Sequence, residues 1–211
     1  MSIIHVMRHG HVENPQRVLY ERLPGFRLSD LGQEMVGEAA HFFEGRPISH
    51  LRCSPLQRTQ ETIKPIAALF ADLEVTLDER VIEAGNVFVG QVMGSTARAA
   101  RSPKQWKYLV NPLRPSWGEA YVEIADRMIK AIFDASEIVG ESGEAVIVSH
   151  QLPIWVTRLL VEGRHLWHDP RKRQCTLASI TSFHIEDGLI TGFEYAEPVR
   201  HLLPEGPRHG F

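Results

Sequence analysis

Arg8 and His9 end one short apolar run, Arg58 follows the "RCSP" that ends a second, and His150 closes a third, "VIVS". Two guanidiniums and two imidazoles converging on one crevice repel each other unless an anion sits between them. Phosphate suits such a crevice, because planar forks of N–H donors match its oxygens and each charge-assisted hydrogen bond is worth roughly 1.5–3 kcal/mol. An imidazole attacks only through an unprotonated nitrogen, and nearby arginines keep it so by disfavouring the imidazolium. Arginine cannot act as a base, so Arg8 and Arg58 are read as electrostatic clamps, while His150 suits either role. Gly10, after His9, is read as allowing a sharp exit from the strand and a close approach of backbone to phosphate. A leaving alkoxide also needs a proton, so one carboxyl group belongs beside the phosphate.

These residues can meet only if the runs that carry them lie side by side. Apolar runs alternate with stretches of helical period, which predicts a three-layer α/β/α sandwich with a mostly parallel central sheet. Ligands of such sheets gather at the carboxyl ends of the strands. Strands are expected over 2–8, 48–54, 74–80 and 144–150, with helices from 29 (capped by Ser29 or Asp30, stopping near Gly45), over 56–70 despite Pro65, over 117–139 and over 153–162. Runs at 176–185 and 189–194 flank Asp187-Gly188, a strong hairpin signal. Irregular sequence at 85–115 reads as a short cap or lid excursion from a single domain spanning 1–211.

Composition narrows the field. Of 211 residues, 43% are hydrophobic and 23% charged, which is ordinary for a globular chain. A net charge of −3 without blocks of like charge argues against nucleic-acid or membrane surfaces. There is no basic-then-apolar leader and no spanning run, so a cytoplasmic protein is expected. Cys53 and Cys175 are read as buried thiols rather than a disulfide or metal site. Self-association is left open.

The order "MRHG", "CSPLQRTQET" and "VSH" resembles the histidine phosphatase superfamily, the phosphoglycerate-mutase-like proteins. "LSDLGQE" at 28–34 and "PSWGEAYVEIADR" from Pro115, with Gly118, Glu119 and Arg127 in step, extend the resemblance. It implies a phosphohistidine mechanism without metal or organic cofactor, in which His9 attacks while Arg8, Arg58 and His150 hold the phosphoryl group. It also implies Glu83 as general acid, in "DERVIEAGNVFVG", where Phe88 and Gly90 match the end of the family motif. The glycine expected four residues after the acid is absent, and Glu79 stands in reserve. Asn14 lies one residue short of a family asparagine that contacts phosphate. Gln151 replaces a small residue and is placed to narrow the pocket or touch substrate.

Other residues carry competing readings. Arg22, with Tyr20 and Phe26 in "LYERLPGF", either binds a second anionic group of the substrate or is a salt-bridged surface arginine. His5, His9 and His11 share one face only if the strand continues through Gly10, and nearby carboxylates are missing, so metal is not expected. Arg101, Lys104 and Lys107 beside Trp106 read as a solvated helix face. Arg208-His209-Gly210 repeats the first tripeptide without a strand before it. The expected activity is hydrolysis of a small phosphomonoester metabolite; the alternatives are a phosphoglycerate-type mutase and a non-catalytic phosphate-binding module.

Overall fold

The computed structural model describes residues 1–85, 89–91 and 118–204. Strands β1 (Ser2–Arg8), β2 (Ile48–Cys53), β3 (Val75–Leu77), β4 (Glu144–Ser149), β5 (Ile180–Glu186) and β6 (Leu189–Ala196) form one sheet in the order β3-β2-β4-β1-β5-β6. The first four are mutually parallel, β5 runs antiparallel to β1, and β6 antiparallel to β5. The helices are α1 (Asp30–Ala40), α2 (Gln57–Leu69), α3 (Tyr121–Val139) and α4 (Gln151–Val161). None of the described helices is long and apolar enough to cross a membrane.

The near-continuous apolar strands are buried on both faces, as parallel strands flanked by helices must be. Their alternate residues separate into two cores. Met7, Val146 and Val148 pack with Met35, Val36, Ile63 and Ile66 of α1 and α2. Ile4, Val6, Ala145 and Ile147 pack with Met128, Ile132 and Ile154 of α3 and α4. The three-layer expectation therefore holds, and β1 and β4 lie side by side at its centre.

Several element ends differ from the sequence reading, each for a local reason. β3 stops at Leu77 because Asp78 accepts from the Arg80 backbone N–H and pairs with Arg52, turning the chain into a short 3-10 segment, Glu79–Val81. α3 begins at Tyr121 rather than 117, since the Glu119 N–H is given to the Gly85 carbonyl and Ala120, the N-cap, is extended. α4 begins at Gln151, two residues earlier than expected; Pro153 fits its first turn, where a backbone N–H has no helical partner. β5 begins at Ile180 because 176–179 close a turn, with Ser179 N donating to Thr176 O and Ala178 at φ +54°.

Ser29 is the cap of α1, its hydroxyl accepting from Gly32 N. Asp187 and Gly188, at φ +51° and +72°, make the predicted hairpin turn. Both cysteines are buried and free, and burial pushes the Cys53 thiol up to about 12. His5, His9 and His11 turn to different partners: Ser182 and Glu144, the Gly10 carbonyl, and Ser29. Most of the expected cap at 85–115, including Phe88, Arg101, Lys104, Trp106 and Lys107, lies outside the described residues, as does Arg208-His209-Gly210.

Gly10 has a packing role besides the one its place after His9 suggests. A Cβ on Gly10 would meet Val36 Cγ1 at 2.8 Å and Gly32 O at 2.9 Å, and one on Gly32 would meet the His11 carbonyl oxygen at 2.0 Å. The two glycines thus let α1 seat directly on the chain leaving β1. In an open helix Gly→Ala gains up to about 1 kcal/mol. Here overlap with backbone should win, so Gly32→Ala is expected to destabilise the protein by about 1–3 kcal/mol in denaturant unfolding. A stabilised variant would mean that the contact relaxes freely.

Candidate active site

β1, β2 and β4 end together, and the chain beyond each delivers one part of the site. His9 is fixed by its backbone: its N–H donates to Ser149 O (3.2 Å), and its carbonyl accepts from Ala178 N (3.3 Å). The ring Nδ1–H donates to the Gly10 carbonyl at 2.8 Å, which leaves the lone pair on Nε2. Burial, then Arg58, then Arg8 hold the imidazole pKa well below its ordinary value, so the ring is neutral and nucleophilic.

Arg58 lies in the first turn of α2, after the Ser54-Pro55 turn that ends β2, and is 1% exposed. Its Nη2 donates to Glu21 O (2.6 Å) and to His150 Nδ1 (3.1 Å), and the guanidinium lies 4.8 Å from the centre of the Tyr20 ring. Its buried Nε has no partner among the described residues, a donor available to an anion. Arg8 is 2% exposed and is anchored by Nη1 to Cys175 O (2.7 Å).

His150 caps α4 immediately after β4. Because Nδ1 accepts from an arginine, Nε2 carries the proton and donates to Ser54 Oγ at 2.9 Å. Burial and then Arg58 depress its pKa as well, and its ring centre is 5.3 Å from that of His9.

A cavity of about 270 Å³ opens over this floor. Arg8, His9, Glu83 and Gln151 line it, so four of the expected site residues face one space, while Arg58 and His150 are not among the residues lining it and lie close to His9. Glu83 Oε1 accepts from Ala84 N, and the Glu83 carbonyl accepts from Arg22 Nε at 2.6 Å. Glu79 is exposed on its 3-10 turn and does not line the cavity. Glu119 lines the cavity too, but its carboxylate is taken by Arg22 (2.8 Å) and Arg127 (2.7 Å).

Two expected contacts have other partners. Asn14 donates to Val18 O and accepts from Val18 N, both at 2.9 Å, so its amide shapes the loop that carries Val18, Leu19 and Tyr20 into the wall. Arg22 is salt-bridged to Glu119 and braces Glu83, the second of its two readings. Sequence reasoning missed Arg173, which lines the cavity from the irregular stretch between α4 and β5, and the hydroxyl of Ser54, which accepts from His150 Nε2 once Arg58 has fixed the tautomer.

The arrangement is a buried neutral imidazole with a free Nε2, flanked by two guanidiniums, beneath a pocket lined by Glu83, whose carboxyl group makes no ion pair among the described residues. Residues 4–194 match the histidine phosphatase superfamily (branch 1). An uncharacterized protein of Mycobacterium tuberculosis is 47% identical over 195 residues, covering 92% of this chain and 96% of the relative. The fold is similar to phosphoserine phosphatase from Entamoeba histolytica in complex with 3-phosphoglyceric acid (TM-score 0.73, 21% identity, 96% of this chain and 100% of that one). It is also similar to phosphoglycerate mutase from Bacillus anthracis (TM-score 0.70, 18% identity, 90% of each chain). By sequence, site and fold alike, the chain belongs to the histidine phosphatase superfamily.

Proposed function

We propose that the protein hydrolyses a small phosphomonoester through phospho-His9. The observation that carries this reading is the His9 tautomer: Nδ1–H is bound to the Gly10 carbonyl, and the free Nε2 lies in the field of Arg8 and Arg58. In the first step Nε2 bonds to phosphorus, the P–O bond to the alcohol breaks, and the departing alkoxide takes the proton of the Glu83 carboxyl group. In the second, water attacks phosphorus and gives a proton to the Glu83 carboxylate. The P–N bond breaks, and inorganic phosphate leaves with His9 neutral again.

Arg8, Arg58 and His150 hold the equatorial oxygens as charge spreads over them. For His150 to donate to phosphate, its Nε2–H must leave Ser54. Because guanidiniums supply the positive charge that divalent ions supply elsewhere, hydrolysis of para-nitrophenyl phosphate should survive excess chelator. Loss of activity that only an added divalent ion restores would overturn this. Release of inorganic phosphate from a monophosphoglycerate, rather than its isomer, separates hydrolysis from the mutase reaction.

A further inference from the structure

Glu83 follows the 3-10 turn Glu79–Val81 on chain that belongs to neither a strand nor a helix, yet a proton donor must keep its place relative to the phosphoryl group. The backbone around it is gripped carbonyl by carbonyl instead. Arg127 Nη1 donates to Arg80 O, Ser149 Oγ to Val81 O at 2.8 Å, Arg22 Nε to Glu83 O at 2.6 Å, and Glu119 N to Gly85 O at 3.2 Å.

Three of those four grips converge on one residue. Glu119 supplies the last from its own backbone, and its carboxylate holds both arginines: Oε2 accepts from Arg22 Nη2 at 2.8 Å, while Oε1 and Oε2 accept from Arg127 Nε and Nη2 at 2.7 and 3.2 Å. A guanidinium is a rigid planar fork, so fixing one set of its N–H groups fixes the direction of the others. Each arginine thus has one part on Glu119 and another on a carbonyl of the segment that carries Glu83. Freed from Glu119, both side chains would regain their rotamers and the carbonyls would lose a directed donor. With both oxygens accepting from guanidiniums, Glu119 is not itself placed to donate a proton, so any part it has in the chemistry runs through Glu83.

We infer that Glu119 is a positioning residue for the general acid: by holding Arg22 and Arg127 it fixes the segment that keeps Glu83 at the leaving oxygen, an assignment that rests on the phosphatase reading above.

Glu119→Gln keeps the shape and removes the charge. Ion pairs near the surface add little to stability, so the variant should unfold thermally much as the wild type does. Its kcat for an alkyl phosphate should fall roughly 10- to 100-fold, the scale of a displaced catalytic group. KM should stay within about threefold, because Arg8, Arg58 and His150 hold the phosphate. Single-turnover release of para-nitrophenolate, which leaves without a proton, should also stay within about threefold. Glu119→Asp, with the charge on a shorter stem, should recover part of the alkyl phosphate rate. In a Glu83→Gln background, Glu119→Gln should slow the alkyl phosphate no further, since the donor it positions is gone. Equal slowing of both substrates, or further slowing in the Glu83→Gln background, makes the role structural and overturns the assignment. If Glu119→Gln does not fold, Arg22→Gln removes one grip at an exposed side chain and must show the same split between substrates. Wild-type hydrolysis without that split leaves the phosphatase reading standing and removes this one, whereas a wild-type protein that hydrolyses neither substrate removes both.

Discussion

Replacing His9 with alanine should lower turnover by roughly 10⁴- to 10⁶-fold, the scale seen when a covalent nucleophile is removed. It should also remove any acid-labile phosphoenzyme trapped by rapid quench. Arg8 and Arg58 would still bind substrate, so affinity should change far less than rate. A labelled phosphoryl group found on His150 or His209 would move the nucleophile elsewhere. The pH profile follows from the same ring. His9 titrates well below the ordinary imidazole range, so its contribution to kcat/KM should be flat through neutrality and fall only in acid.

Stability changes in the same direction. His9 and His150 both have depressed pKa values in the fold. As pH falls below about 6.5, the unfolded imidazole value, the unfolded chain takes up protons first. Stability is therefore full above that pH and is lost as pH drops toward the folded values. Unfolding measured across the same pH range separates this loss from loss of the nucleophile.

Glu83→Gln should slow hydrolysis of an alkyl phosphate by roughly 10²- to 10⁴-fold, since the alkoxide then leaves without a proton. Para-nitrophenolate leaves without help, so the first step with that substrate should be much less affected. Glu79→Gln should lie near the wild-type rate for both substrates, as its carboxylate is exposed and away from the cavity. Equal slowing of the two substrates by Glu83→Gln would give Glu83 a binding role. A large effect of Glu79→Gln would return the acid to that position.

What the sequence made legible was whatever followed a strand. Arg8, His9 and His150 directly follow runs whose apolar character declares them buried, and the sheet order brings β1 beside β4. The second Arg-His-Gly follows no such apolar run in the sequence. Residues on irregular segments were harder to place, because no periodicity says where a loop side chain points. Asn14 and Arg22 look like anion ligands by type, yet one closes a turn on Val18 and the other braces Glu83. Arg173 sits on such a segment too, one that Arg158 Nη1, bonded to Gln174 O at 2.7 Å, ties to α4. Gly32 shows a further limit, since a glycine required by an approaching carbonyl is indistinguishable in sequence from one that is merely tolerated.

The place of β1 in the sheet bears on how the protein is made. Val6 pairs with Ile147 on one side and Thr181 on the other, so the strand that leads to the nucleophile has both neighbours far along the chain. At translation rates of about 5–20 residues per second, it waits roughly ten to thirty seconds for them. Closing so long a loop adds little to the equilibrium cost, because that cost grows only with the logarithm of length. The delay is kinetic. Throughout it, an apolar strand is without its edges. A chain that terminates before Cys175 lacks both β5 and the carbonyl that anchors Arg8, so premature products should carry His9 without a closed pocket around it.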